Sequence, residues 1–327
     1  MPSESELLAM IPGDLPCDTE LAFYGGSFTA LPKSVRRGYL HFAREMKYRG
    51  RIRSIALSTH PSYVDESIMD ELFFYDVDRI ELGIQSTNAE VLAKAQRGHG
   101  RKEIFTATSL LHQSGLKWGV QLMVGLPGDD IKKDLSSVVE LLQFRPHTAR
   151  IYPVLVLKDT PLSFMFCEGD YVSLSLSEAV FRTAVMAAFF KQGNVDVIRM
   201  GLQPTAEICS GSEALLAGPF HPAFGHLVRC YLKQKQLHML LKDLSGAEPV
   251  RVVAPKADLP LLFGQNGETA AALRKQRRFA VSAAELPSGA VALTPYDKNR
   301  KHEFLSVLTE EEFLDEYVKT ERRAYCI

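Results

Sequence analysis

From Leu21 to Leu202 the apolar positions keep switching between two rhythms. Short continuous runs bounded by glycine, proline or polar residues predict buried strands, and runs spaced at three and four residues predict amphipathic helices. The clearest instance is VQLMVGLPGD, Val120 to Asp129. Gln121 to Gly125 reads as a buried strand, and Gly125-Leu126-Pro127-Gly128 turns the chain before Leu135, Val138, Val139 and Leu142 mark a helix.

The same unit recurs. Strands are predicted at Leu21–Tyr24, Ile52–Thr59, Arg79–Gln85, Leu116–Gly125, Ala149–Leu157 and Val195–Leu202. Between them, Val35, Tyr39, Phe42 and Met46 make one helical face. Asp65 caps a helix that buries Ile68, Leu72 and Phe73, and Asn88 opens a helical stretch that resumes after Gly98-His99-Gly100. Ser177 caps a further helix carrying Phe181, Val185 and Phe189. Ahead of the first strand, Glu4 to Ile11 reads as a helix broken by Pro12-Gly13-Asp14. Strand and helix in alternation predict a parallel α/β sheet. No glycine-rich dinucleotide turn opens any of the helices, so a partial TIM-type (βα)6 barrel fits better than a Rossmann fold.

The rhythm changes near residue 228, where we draw the division between a barrel domain, residues 1–228, and a C-terminal domain, residues 229–327. Val250–Ala254 and Phe279–Val281 read as strands around a helix from Glu268 to Gln276, which makes a small α+β domain. Thr309 caps an acidic helical tail with Phe313 and Tyr317 at i,i+4.

Charge sharpens this division. The chain as a whole carries a net −1, yet Arg229 to His302 holds thirteen Lys and Arg against six Asp and Glu. Arg274, Lys275, Arg277 and Arg278 are its densest cluster. A basic appendage implies an anionic partner, and RNA is the one we expect; a solvated face is the plainer alternative. No apolar run approaches membrane-spanning length and the start lacks a signal-peptide pattern, so the expected location is the cytoplasm, with no membrane partner. Five scattered cysteines, Cys17, Cys167, Cys209, Cys230 and Cys326, show no metal-ligand spacing and read as free thiols.

Candidate chemistry sits at the strand ends. Gly25-Gly26, after Tyr24, strips side chains from the backbone so that its N–H and C=O groups can approach a ligand. Ser58-Thr59-His60-Pro61 ends the next strand with three hydrogen-bonding side chains; His60 is a candidate proton carrier, with an ordinary strand-end hydrogen-bonder as the plainer reading. Glu81, Gly83 and Gln85 alternate along the third strand and share a face. Burying Glu81 and Gln85 costs several kcal/mol unless they are paired, which points to a ligand or a polar network. Arg97 could return over the barrel mouth to grip a carboxylate, with a surface arginine as the plainer reading. Gln121 shares a face with Met123, and Arg199, Gly201 and Gln203 line a last strand.

In order, FYGGSFTALP, ELGIQS, QRGHG, QLMVGLPGD, ARIYPVLVLKDTPL, VIRMGLQP and GPFHPAFGHLV resemble the radical S-adenosylmethionine (SAM) proteins related to the Elongator catalytic subunit and to oxygen-independent coproporphyrinogen oxidase. The resemblance runs from Leu21 to Val228 and is nearest to the bacterial Elongator-subunit-like group, without an acetyltransferase domain. It implies that backbone carbonyls of Tyr24, Gly25, Gly26 and Ser27 hold the SAM amino group and that Gln85 contacts SAM. It further implies that Arg97 pairs with the SAM carboxylate. Ser58 stands where relatives carry glutamate, and Gln121 where some carry a ribose-binding aspartate.

The family's [4Fe–4S] cluster is held by a CxxxCxxC loop ahead of the GG motif, and here Cys17 alone precedes that motif. The expectation is therefore a barrel lacking its first strand, with no metal ligands in these residues and no assignable catalytic residue. Such a sequence either begins too late or belongs to a degenerate relative, and the intact motifs favour a late start. Without the first strand, Leu21–Tyr24 should form an exposed sheet edge. The function implied is radical SAM chemistry acting in tRNA base modification, with tRNA held through the C-terminal domain and no DNA partner. Two alternatives stand beside it: a non-catalytic SAM- or RNA-binding remnant, and a coproporphyrinogen oxidase-like enzyme.

Overall fold

The computed structural model describes residues 4–327 apart from 13, 17, 206–207, 210, 243, 245–248, 265–266, 277 and 298–302. Its larger sheet has six parallel strands side by side in chain order. They are β1 (Glu20–Phe23), β2 (Ser54–Thr59), β3 (Arg79–Gln85), β4 (Lys117–Val124), β5 (Thr148–Pro153) and, after the two-residue β6 (Val156–Leu157), β7 (Asp196–Met200). Sequential order with every pairing parallel is half of a TIM-type barrel wall.

Period-two alternation decides what each face carries. Ile55, Leu57, Ile80, Leu82, Ile84, Trp118, Val120, Leu122, Val124, Ala149 and Ile151 are all buried on the convex face. Their cover is helical: α2 (Lys33–Tyr48), α3 (Glu66–Phe74), α4 (Ala89–Lys94), α5 (Arg101–Ser114), α6 (Ile131–Leu142) and, beyond α7 (Pro161–Glu168), α8 (Leu176–Gln192). The concave face is left to Glu81, Gly83, Gln85, Gln121, Arg150 and Tyr152. Ahead of β1, α1 (Glu4–Met10) lays Leu7 against the core. As expected, β1 is an edge of the sheet.

Several local expectations hold. Asp65 accepts from the Ile68 N–H at 2.8 Å and Thr309 caps its helix with Glu312. Others need correction. Phe73 is 47% exposed, because Ile68, Met69 and Leu72 already fill the inward face of α3 and the next residue is turned a further 100° about the axis. Ser175 rather than Ser177 caps α8, its Oγ accepting from the Glu178 N–H. The strand predicted at 149–157 stops at Pro153, and β6 instead pairs antiparallel with β8 (Leu215–Ala217).

The expected small α+β domain is present. Its sheet has the order β10-β9-β11-β12, made of β9 (Val250–Ala254), β10 (Phe279–Ala283), β11 (Val291–Pro295) and β12 (Ser306–Leu308). The last two strands pair antiparallel and escape the sequence pattern. Helices α10 (Leu259–Phe263) and α11 (Glu268–Gln276) complete it, with Val250, Val252, Leu262, Phe279, Val291 and Leu293 in its core. Residue 228, where we divide the chain, lies inside α9 (Phe224–Leu241). One end of that helix packs beside α8 through Phe224 and Val228, and the other gives Leu237, Leu240 and Leu241 to the small core. The tail helix α12 (Glu310–Tyr325) packs on α8, and its Phe313, Leu314, Tyr317 and Val318 join the core of the large sheet. Among the described residues no helix is long and apolar enough to cross a membrane.

Candidate functional site

The concave face opens, at the C-terminal ends of β1 to β5, into a cavity of about 460 Å³. Tyr24, Gly25, Gly26, Ser27, Ser58, Gln85, Arg97 and Gln121 all line it. The structure thus brings all eight residues that the resemblance implies for SAM binding to one place. Thr59, His60, Glu81, Gly83, Arg150 and Tyr152 complete the wall. Arg150 and Tyr152 escaped the sequence reading as site residues, although their alternation in ARIYP carried the signal. Arg199 and Gln203 hydrogen-bond to each other at 3.2 Å in a separate cleft beside Phe224 and His226, so that part of the expected wall does not join the cavity.

The wall has a closed tier and an open one. In the closed tier Glu81, with 4% of its side chain exposed, is held by both Arg79 and Arg150, the latter at 2.8 Å. The Tyr24 hydroxyl donates to Glu81 at 3.0 Å and accepts from Arg150 at 3.1 Å, with the Arg150 guanidinium 4.9 Å from the Tyr24 ring centre. Arg79 also reaches Glu20. Every charge in this tier has an opposite partner, which is what buried charges require.

The open tier lies one turn of side chains higher. Gln85 is 5% exposed, and its Oε1 accepts from Gln121 Nε2 at 3.2 Å. Its φ of +71° is a left-handed conformation that costs a non-glycine residue about 1–2 kcal/mol, and the ladder to β4 slips between Gly83 and Gln85. Gly83 leaves room for this arrangement. A Cβ there would lie 3.0 Å from the Gln85 amide nitrogen. At Gly25 (φ +103°) and Gly26 a Cβ would meet nothing within 4 Å, so the backbone of that turn faces open space.

Arg97 hangs over this tier. Its Nη2 makes one long contact, 3.5 Å, to the Gly83 carbonyl, and its buried Nε has no hydrogen-bond partner among the described residues. Burial pulls its guanidinium below the usual arginine range. A buried guanidinium with spare donors is a receptor for a planar anion such as a carboxylate. Beside it, His99 Nδ1 lies 2.7 Å from His60 Nε2, and His60 Nε2 lies 3.1 Å from the Arg97 carbonyl.

At the end of β4, Asp129, Asp134 and Arg182 form a separate buried cluster. Arg182 donates to Asp134 at 2.6 Å and pairs with Asp129 at 3.1 Å. Burial, then the charge of Asp129, raises the Asp134 pKa. Two carboxylates facing one arginine therefore hold a proton between them to a higher pH than free aspartates would.

Metal ligands are not gathered here. Among the described residues no group of three His, Cys, Asp or Glu could hold a metal, and Cys167, Cys209, Cys230 and Cys326 line no part of the cavity. Cys17 lies outside the described residues. No chemical step is therefore derived through an iron–sulfur cluster.

On the small domain, Arg278 stacks over the Tyr296 ring at 4.7 Å. Arg251 lies at 5.8 Å from the same ring and donates to the Tyr296 carbonyl. Arg274 and Lys275 are exposed at the end of α11. Arg277 lies outside the described residues.

Residues 7–142 match the family model described as the radical SAM superfamily, and residues 146–234 match the radical SAM C-terminal domain. The tRNA uridine(34) acetyltransferase of Methanocaldococcus jannaschii is 34% identical over 133 residues, 40% of this chain and 25% of that protein. Human Elongator complex protein 3 is 29% identical over 181 residues, 49% of this chain and 33% of that protein. The matches thus span about a quarter to a third of these relatives' length. Among solved structures, the Methanocaldococcus infernus Elp3 with an N-terminal deletion superposes with a TM-score of 0.62 at 24% identity, covering 71% of this chain and 58% of that one, which establishes a shared fold.

Proposed function

Since the chain belongs to the radical SAM superfamily, in its Elongator-like group, we propose that the strand-end cavity binds SAM and that the protein acts in tRNA base modification. The observation that carries the reading is Arg97: a half-buried cation with a buried, unpartnered Nε and no carboxylate partner among the described residues, beside the Gly83 carbonyl in the cavity that Gly25 and Gly26 also line. In this reading Arg97 takes the SAM carboxylate. The carbonyls of Tyr24 to Ser27 take the amino group, and Ser58, Gln85 and Gln121 contribute polar contacts around the rest of the ligand.

The chemistry the family is named for, reductive cleavage of SAM, is supplied by an iron–sulfur cluster, whose ligands are not gathered among the described residues. What these residues themselves do is bind, orient and partly desolvate the cofactor. Burial strengthens each charge-assisted hydrogen bond they offer it.

Two features support RNA as the macromolecular partner. Relatives bear the name of tRNA-modifying enzymes, and the basic excess of the C-terminal region includes an Arg251–Tyr296–Arg278 stack next to Arg274 and Lys275. Cations gathered at this surface suit phosphates.

Equilibrium dialysis of the full chain against labelled SAM tests the first half, with saturable one-to-one retention expected. Absence of retention at millimolar ligand would refute it. Filter binding of bulk tRNA against salt tests the second, where the expected result is an affinity that falls steeply as salt rises.

A further inference from the structure

Resting on the reading of the cavity as a SAM site, we propose that His60 and His99 are positioning residues. As a neutral pair they latch the loop from Gln96 to Gly100 onto the ends of β2 and β3 so that Arg97 enters the cavity, and protonation of the pair releases it.

The hydrogen bonds allow one assignment of tautomers. His60 Nδ1 accepts from the Ser62 N–H at 3.2 Å, so its proton sits on Nε2. His99 Nε2 faces the Ile84 carbonyl at 3.2 Å and must donate to it, which leaves Nδ1 as an acceptor. That acceptor meets the His60 Nε2–H at 2.7 Å, with the rings perpendicular and their centres 4.2 Å apart. The chain Ser62 to His60 to His99 to Ile84 is complete with both rings neutral. A proton on either ring removes an acceptor that this chain uses.

The loop needs such an anchor. Gln96 and Gly98 flank Arg97 with φ of +49° and +70°, so a left-handed residue on either side sets the aim of its side chain. The Arg97 N–H is fixed by the Leu92 carbonyl at 3.1 Å, and its carbonyl shares the His60 Nε2–H, at 3.1 Å, with His99 Nδ1.

The surroundings favour the neutral pair. Burial lowers the pKa of both rings, and for His99 the neighbouring His60 adds to it. Arg97 places a like charge beside them. From α5, Glu103 is committed to the Gly100 N–H at 2.9 Å, and the 3-10 turn at Pro61–Tyr63 presents the Tyr63 ring, 5.7 Å from that of His60. The ends of β2 and β3 offer uncharged Thr59 and the Ile84 carbonyl. Lower on the same wall, Glu81 is neutralised by Arg79 and Arg150.

SAM dissociation constants for the full chain between pH 7.5 and 5, beside His99→Asn and His99→Phe, test the latch. Asn offers an acceptor near the position of Nδ1 and does not titrate. The wild type should weaken on acidification by up to about tenfold per pH unit through its titration, the limit for one linked proton. His99→Asn should hold its neutral-pH affinity to within about threefold and show a shallower slope, while His99→Phe should be weakened by roughly tenfold at pH 7.5. Equal slopes in the wild type and His99→Asn, or an unchanged constant in His99→Phe, would overturn the proposal.

Imidazole nitrogen shifts measured by NMR test the latch without SAM. Both rings should carry their proton on Nε2 at pH 7.5 and titrate together below the usual histidine value, and a proton on Nδ1 of either ring would overturn it. Failure of SAM to bind at any pH, with those shifts as expected, would overturn the cavity reading and leave the latch standing.

Discussion

Glu81 and Gln85 sit on one face of one strand, four residues apart, and are equally buried, at 3% and 5% exposure. Glu81 is gripped by two arginines and a tyrosine, whereas Gln85 has an amide neighbour, a strained backbone and a cavity in front of it. Burial of a polar residue therefore says little until its partners are counted. Where the wall satisfies itself, the residue is structure. Where a cation such as Arg97 has a left-over Nε and, unlike Arg150, no carboxylate partner among the described residues, the residue belongs to a site.

This difference can be broken from either side. Glu81→Ala leaves Arg79 and Arg150 half-buried without their shared carboxylate, and should cost about 3–5 kcal/mol in urea unfolding. A loss below about 1 kcal/mol would mean that the closed tier contributes little. The Asp129–Asp134–Arg182 cluster comes next in size. Its raised carboxyl pKa means that the native state holds a proton the unfolded chain has lost, so stability should fall as pH rises from the usual aspartate value of 3.8 through the folded value. The expected slope is about 1.4 kcal/mol per pH unit within that window, and Asp134→Asn should flatten it. An unchanged slope in the variant would place the proton elsewhere.

Smaller effects sharpen the open tier. At the left-handed Gln85, substitution by glycine should leave the protein about 1 kcal/mol more stable than substitution by alanine, because glycine adopts that conformation without a Cβ penalty. Both variants should bind SAM more weakly than the wild type. If alanine proved the more stable, the strain would not be real. The least change is expected at the surface. Arg274→Ala with Lys275→Ala should leave folding untouched and reduce the salt dependence of tRNA binding by about one or two in logarithmic slope.

Much of this was legible in the residues. The six strands and the parallel half barrel follow from period-two and helical spacing together with glycine placement, and the gathering of Gly25, Gln85, Arg97 and Gln121 follows from the family resemblance. What stayed hidden depends on distance in space rather than along the chain. Arg150 looked like one polar residue within a strand until β5 lay beside β4, across the wall from Tyr24 and Glu81. The His60–His99 contact joins residues 39 apart. β11, paired with β9, and β12, paired with β11, are short and fully polar on neither side, so they leave no clear period. The tail helix looked like part of the basic domain because it follows it in sequence, but its Phe313 and Tyr317 are packed with α8.

The central claim is that Arg97 and the glycine turn recognise the methionine end of SAM. Calorimetric titration of the wild type and Arg97→Ala with SAM and with 5′-methylthioadenosine, which lacks the carboxylate and the amino group, tests it directly. The account predicts that Arg97→Ala weakens SAM by roughly tenfold to a hundredfold, the worth of a charge-assisted hydrogen bond, and leaves methylthioadenosine unchanged. Equal losses for the two ligands, or no binding of SAM to the wild type, would contradict it.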